Sequence, residues 1–260
     1  MHHIFVNENA VNTVDRVIAI NGDEDFDNYN HLVKSLRINV GEQVLCSVFP
    51  FEFSFDYLCE VKDITDKEVK LYILEETKQR ELAVKVNLYQ GISKSDKFEF
   101  IIEKAVELGV SSIIPLATEY CVAKIDDKKS DKKIERFNKI SKSAAEQSKR
   151  HIIPEVLAPI SFDEFIDSIN ENDENTYNLL FYENANGIAE TKRVLTEIKN
   201  KDNKDVIINL IIGPEGGFSN AEIEKAKNKK VSILSLGERI LRTETAAVTA
   251  MSIVMYEVGE

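Results

Sequence analysis

The chain has 260 residues and a mass of 29.5 kDa, a length that suits two domains or one large α/β unit. Hydrophobic residues at 43% and charged residues at 30% describe a folded globular protein and exclude a disordered tail. Ten glycines and five prolines exclude a collagen-like or linker-dominated chain. No apolar run approaches the ~20 residues of a membrane span, and the start Met1-His2-His3 is not a signal peptide. The expected location is the cytoplasm.

The formal net charge is −12, but it is unevenly spread. Residues 124–150 carry eight lysines and two arginines against five acids, whereas residues 161–190 carry eight acids and no base. One stretch can meet phosphate while another keeps the surface acidic, so composition permits an RNA partner without proposing one. Cys46, Cys59 and Cys121 are scattered with no C-x-x-C spacing. They read as free thiols, with no disulfide framework and no metal site expected.

Residues 1–74 read as β-rich. Val44-Leu45-Cys46-Ser47-Val48 and Tyr57-Leu58-Cys59-Glu60-Val61 are short apolar runs, and residues 68–73 alternate at period two. Gly41-Glu42 and Asp66-Lys67 supply turns, and residues 31–37 form a short helical stretch. The pattern predicts a small barrel. Residues 75–260 have a different texture, with strands alternating with longer helices. Residues 84–89 alternate as a strand. Asp96 and Glu99 have capping-box spacing, with Phe98, Ile101, Ile102, Ala105 and Leu108 on one face and Gly109 as the stop. Strands are expected at 112–116 and 178–182, with a long polar helix over 131–149. The βαβ rhythm predicts a mostly parallel sheet with helices on its faces.

Two loops carry the chemistry. The apolar run of residues 206–212 enters Gly213-Pro214-Glu215-Gly216-Gly217-Phe218-Ser219, and Ser219 with Glu222 marks a helix start. Glycines there let the backbone approach a ligand closely, and exposed amides favour an anionic or carbonyl group; a purely structural turn would look the same. No GxxxxGK[ST] and no GxGxxG occurs, which argues against a phosphate-cradling NTPase. The second loop, Leu236-Gly237-Glu238-Arg239-Ile240-Leu241-Arg242-Thr243-Glu244-Thr245, holds two arginines and two threonines. They suit a polar ligand and equally suit surface salt bridges. Thr243 or Thr245 is expected to cap a final helix over residues 246–258, rich in small residues early and apolar later, as fits a packed element or a subunit interface.

These two loops together resemble the C-terminal signature of SPOUT-class RNA methyltransferases. Within that class the chain is similar to the RsmE family, which methylates N3 of one uridine in bacterial 16S rRNA. Three further blocks carry the likeness in the same order: residues 31–37 resemble an H-x-x-x-V-L-R stretch, residues 94–109 a K-x-x-K-x-E helix with an E-L-G-V end, and residues 136–154 an A-x-E-Q-x-x-R segment. The sequence departs from the family at His2 and His3, where arginine is usual, around Ser47-Val48, where a D-G turn is common, and at Tyr120, where arginine is often found.

The resemblance implies a PUA-like, RNA-binding β-barrel over 1–74, a SPOUT-type α/β methyltransferase domain with a deep trefoil knot over 75–260, S-adenosylmethionine as cofactor, and a homodimer. It places the cofactor on Leu180, Tyr182, Glu183, Gly213, Pro214, Glu215, Gly216, Gly217, Leu236, Gly237, Leu241, Arg242 and Thr243. Uracil N3 must lose a proton before it can attack the sulfonium methyl, so a cation and a base are needed. Arg242 is the expected cation; Glu215 is a possible base or an orienting residue for its loop. Lys34, Arg37, Lys94, Lys97, Lys142 and Arg150 are the expected RNA contacts, with 16S rRNA in the small ribosomal subunit as partner. The alternatives are a SPOUT enzyme acting on a ribose 2′-hydroxyl of rRNA or tRNA, and a non-catalytic RNA-binding assembly protein.

Overall fold

The computed structural model describes residues 1–50, 55–78, 80–122, 127–185, 187–201 and 205–259, without side chains for 127–130. Part of the basic 124–150 stretch therefore lies outside the described residues. The chain divides into two compact units, one made of Met1–Glu81 with Ala145–Ile153 and the other of Leu82–Ala144 with Pro154–Glu260.

The first unit is a six-stranded sheet. Its strands are β1 (His2–Asn7), β2 (Val11–Asn12), β3 (Val17–Asn21), β4 (Gln43–Phe49), β5 (Phe55–Ile64) and β6 (Glu68–Lys78), in the order β1-β4-β5-β6-β3-β2. Only β1 and β4 run parallel; every other pairing is antiparallel. Alternate residues such as Ile4, Val6, Ile18, Ile20, Val44, Cys46, Val61, Val69 and Leu71 form one buried cluster, because successive side chains of a strand point to opposite faces. The sheet is curled, and its described pairings leave β1 and β2 as ends, so it is a half-barrel instead of a closed barrel. Strand β6 continues past residue 74 to Lys78, which carries the first unit on to Glu81. The expected helical stretch begins earlier, at α1 (Phe26–Asn30), where Asp25 accepts from Asn28 N; residues His31–Ser35 form a π-turn, and Arg37 leaves it in the left-handed region at φ 52°.

The opposite face of β1, β4 and β5 carries a buried polar cluster of His3, Ser47 and Asp56. Ser47 Oγ lies 2.8 Å from His3 Nε2 and donates to Asp56 Oδ1 at 2.5 Å, and His151 Nδ1 lies 2.6 Å from the same carboxylate oxygen. Residues 145–153 thus join the first unit despite their distance in sequence. Two of the three departures from the family pattern, His3 and Ser47, are neighbours in this network.

The second unit contains β7 (Lys85–Gly91), α2 (Ser95–Glu107), β8 (Ser112–Ala117), α3 (Asp127–Ser148, its end belonging to the first unit), β9 (Glu155–Val156), β10 (Ile160–Ser161), α4 (Phe162–Ser168), β11 (Thr176–Phe181), α5 (Ala189–Lys199), β12 (Ile207–Ile212), α6 (Asn220–Lys227), β13 (Val231–Leu234) and α7 (Thr243–Val258). The sheet order is β10-β8-β7-β12-β11-β13, with β9 beside β8, and every pairing is parallel. The near-continuous apolar runs of β11 and β12 are what a sheet buried on both faces requires.

Two helix starts differ from expectation. Helix α2 begins at Ser95 with Lys94 as its N-cap and no side-chain cap; Glu99 instead accepts from Arg136 Nη2 at 2.8 Å. Helix α7 begins at Thr243 with Arg242 as N-cap, again without a side-chain cap, because the Thr243 hydroxyl is engaged elsewhere. The expected box at α6 is present: Glu222 N donates to Ser219 Oγ, and Ser219 N to Glu222 Oε2 at 2.8 Å. A further capping box, Ser161 with Glu164, opens α4.

Candidate functional site

Parallel strands align their carboxyl ends along one edge, where the loops that follow them gather. In the second unit the loops after β11, β12 and β13 and the first turn of α7 enclose a cavity of about 300 Å³, the size range of a small-molecule site. Ile212, Phe218, Leu236, Leu241 and Ala246 give it apolar walls, and Gly213, Gly217 and Gly237 give it bare backbone. Gly217 has φ +70° and Gly237 φ +117°, conformations that favour residues without a Cβ.

The loop of residues 213–218 is held from below. A Cβ on Gly91, the last residue of β7, would lie 2.2 Å from Pro214 N and 2.6 Å from Gly213 C, so only glycine lets the loop cross that strand end. Thr243 Oγ1 donates to Gly213 O at 2.6 Å and accepts from Gln90 Nε2 at 2.9 Å. Gln90 is fully buried, and its amide also donates to Gly91 O at 3.1 Å. One hydroxyl therefore ties β7, the glycine loop and the start of α7 together. On the other side, Glu222 Oε1 accepts from Glu119 N at 2.9 Å, and Tyr120 lies against Gly216, where a Cβ would approach Tyr120 Cβ to 2.7 Å.

Charge is organised around Lys97. Its Nζ lies 3.2 Å from Glu215 Oε1 and 3.9 Å from Glu244 Oε2. Burial works against the charge of Glu215, but backbone N–H donors and the Lys97 ammonium outweigh it and hold the carboxyl below its usual range. The two carboxylates that could have paired with Arg242 are therefore taken by Lys97. Arg242 is exposed at the cavity wall, and among the described residues it has no carboxylate within ion-pair distance.

Of the residues expected to hold a cofactor, Tyr182, Glu183, Gly213, Pro214, Glu215, Gly217, Leu236, Gly237, Leu241, Arg242 and Thr243 line this cavity. Leu180 is buried in the core of β11, and Gly216 packs on Tyr120. Of the expected RNA contacts, Lys34 and Arg37 are exposed on the first unit, Lys94 is exposed at the start of α2, and Lys142 is half-buried on α3. Lys97 lines the cavity. Arg150 departs most from a surface contact: it is 3% exposed and ion-paired with Glu81, whose carboxylate also accepts from His151 N at 2.9 Å. Arg239 and Ile240, inside the expected 236–243 loop, also line the cavity, with Phe218 and Ala246 from the two signature segments; Gln90 and Gly91 beneath the loop were not anticipated. The signal was present for Gly91, since a lone glycine at the end of an apolar strand marks a close backbone approach.

A family model described as an RNA methyltransferase domain matches residues 80–255. A ribosomal RNA small subunit methyltransferase E of Bacillus subtilis is 35% identical over 240 residues, covering 92% of this chain and 90% of that one. The chain belongs to this family. Another RsmE protein, from Rickettsia conorii, is 31% identical over 87% of this chain and 86% of its own length. Among solved structures, a protein of Legionella pneumophila described as a methyltransferase, in complex with S-adenosylmethionine, superposes with a TM-score of 0.78 at 30% identity, covering 98% of this chain and 96% of that one. The cavity shared by the three loops is thus placed in an RsmE-type fold. Among the described residues no helix is long and apolar enough to cross a membrane, and no group of three or more His, Cys, Asp or Glu is placed to hold a metal ion.

Proposed function

We propose that this RsmE-family chain transfers a methyl group from S-adenosylmethionine to N3 of one uridine in the 16S rRNA of the small ribosomal subunit, in the cytoplasm. The observation that carries the reading is the cavity at the carboxyl ends of β11, β12 and β13, built from the residues that the resemblance assigns to the cofactor. The donor set fits that group. Gly213, Gly217 and Gly237 leave parts of the wall without side chains, which makes room for a ribose, and the apolar walls suit a flat purine ring. At Gly213 the loop packs tightly on itself, since a Cβ there would come within 3.1 Å of the Phe218 ring.

When bound, S-adenosylmethionine supplies an activated methyl on sulfur. The protein's tasks are to position the acceptor in line with it and to stabilise the uracil as its N3 proton leaves. Arg242 suits the second task, because its guanidinium is at the cavity wall and is not neutralised by a neighbouring carboxylate. Glu215, tied to Lys97, orients the glycine loop. Lys34, Arg37, Lys94 and Lys142 supply phosphate contacts; Arg150 acts structurally, through Glu81. The first unit serves as the PUA-like RNA-binding module and the second as the SPOUT catalytic module. The trefoil knot and the homodimer belong to this reading, with the exposed Tyr256 on α7 and Ile188 before α5 as apolar surface available to a second copy.

Labelled methyl transfer to small subunits that lack the modification, with naked 16S rRNA and tRNA alongside, tests the proposal. One modified uridine that stops reverse transcription supports N3 as acceptor, since N3 methylation blocks base pairing. A mark that leaves pairing intact supports a ribose 2′-hydroxyl, and donor binding without any transfer supports an assembly role.

A further inference from the structure

Among the carboxylates around the cavity, Glu215, Glu244 and Glu183 differ in what holds them. Glu215 is bound by Lys97 at 3.2 Å and by backbone N–H groups. Each donor that stabilises its charge makes it a poorer acceptor of a proton. Glu244 is on the first turn of α7, faces the same lysine at 3.9 Å, and is not part of the cavity wall. Glu183 is different. It follows β11, lines the cavity with Arg242, and is solvent-exposed. Its Oε1 lies 2.9 Å from where a Cβ on Gly217 would be, so the carboxylate rests on the glycine loop in space that a side chain would contest. Among the described residues no cation or hydrogen-bond donor engages it.

We propose that Glu183 is the general base of the methyl transfer, the group that takes the N3 proton of the acceptor uridine. The inference rests on the reading of the preceding section and names the proton acceptor which that reading leaves open. As the bond between N3 and the methyl carbon forms, the bond from that carbon to sulfur breaks with its electron pair left on sulfur. The N3 proton passes to a Glu183 carboxylate oxygen. The positive charge on sulfur and the negative charge on Glu183 disappear together, and the neutral acid returns its proton to water through the exposed side of the site. Arg242 shares the transient negative charge on the uracil oxygens.

The test uses the full chain with E183Q and E183D, small subunits lacking the modification, and three readouts: donor affinity by calorimetry, single-turnover transfer as a function of pH at saturating donor, and thermal unfolding. E183Q is expected to unfold at the same temperature as the parent chain, and because Glu183 lines the donor cavity its transfer rate is compared at donor concentrations that saturate each protein. That rate should fall by about 10²–10⁴-fold, with the acid limb of the pH–rate profile gone; E183D should recover part of the rate and the limb. A donor affinity at least tenfold weaker with an unchanged rate at saturation would make Glu183 a donor contact and overturn the proposal. So would an unchanged rate with the acid limb intact. If the parent chain transfers no methyl to any RNA, the underlying reading fails and takes this proposal with it. An active parent with an unaffected variant removes only the assignment of Glu183.

Discussion

The hydroxyl of Thr243 is the point at which three chain segments meet, so its removal tests how the site is built. T243V keeps the shape of the side chain and deletes one donor and one acceptor. The Gly213 carbonyl loses a 2.6 Å hydrogen bond and Gln90 Nε2 a 2.9 Å one. Gly213 is only half-buried and can regain water, whereas Gln90 is fully buried and keeps only the bond to Gly91 O. A buried polar group left unpaired costs ~1–3 kcal/mol, and a carbonyl that regains water costs less, so the sum is ~2 kcal/mol. At ~2–4 °C per kcal/mol for a domain of this size, the unfolding midpoint should drop by ~4–8 °C. Release of the glycine loop should also weaken donor binding by about tenfold, equivalent to ~1.4 kcal/mol. T243S, which retains the hydroxyl, should stay near the parent in both measurements. Thermal unfolding and donor titration on the three proteins decide the matter. A T243V chain that unfolds within a degree of the parent and binds donor equally well would show that the hydroxyl does not hold the loop.

Three further outcomes are expected. G91A places a Cβ 2.2 Å from Pro214 N, so the loop must move; donor binding measured by calorimetry should fall by at least tenfold, and unchanged affinity would contradict the close crossing. R150M removes the ion-pair partner of Glu81, which is 18% exposed and keeps the N–H groups of His151 and Ile152, so the loss should be ~1–3 kcal/mol; denaturant unfolding should register it, whereas a stable variant with weaker RNA binding would return Arg150 to the surface role. Burial lowers the pKa of His3 to about 4, against the opposing pull of Asp56. The unfolded chain therefore binds this proton first, and the folded state loses stability as pH falls from 6.5 towards 4, by an amount on the order of 3 kcal/mol. H3Q should flatten that part of the stability–pH curve, and an unchanged slope would exclude His3 as its source.

The strands, the parallel sheet and the two loops were legible because each rests on local signals: period-two alternation in β6, an unbroken apolar run in β12, and the Ser219–Glu222 box at α6. Helix starts were legible only where the cap is local. Asp96 and Glu99 have the right spacing, yet Arg136 takes Glu99, and no sequence rule locates a partner 37 residues away. The placement of residues 145–153 failed for the same reason. Arg150 and His151 sit in a basic stretch that reads as surface, but Glu81 and Asp56 hold them in the first unit across 69 and 95 residues. Lys97 was expected on RNA from its place in the K-x-x-K-x-E block; only the folded loop shows that Glu215 and Glu244 converge on it.

That convergence explains why α2 lacks a cap of its own. A helix start leaves N–H groups unpaired and carries partial positive charge. Here Glu215 is the carboxylate that meets it, through the Lys94 backbone and the Lys97 ammonium. The glycine loop thus caps α2 from a different part of the chain, and the residue that would have been the most obvious base becomes structural. The same arrangement removes both candidate partners of Arg242. What is left facing the cavity is an unneutralised guanidinium and, across the glycine loop, the unengaged carboxylate of Glu183. A reaction that must shed a proton from a weakly acidic nitrogen while a positive charge on sulfur disappears needs those two groups on opposite duties. Lys97 secures that separation: it pairs with the two acids that would otherwise quench Arg242, while Glu183 stays free to take a proton.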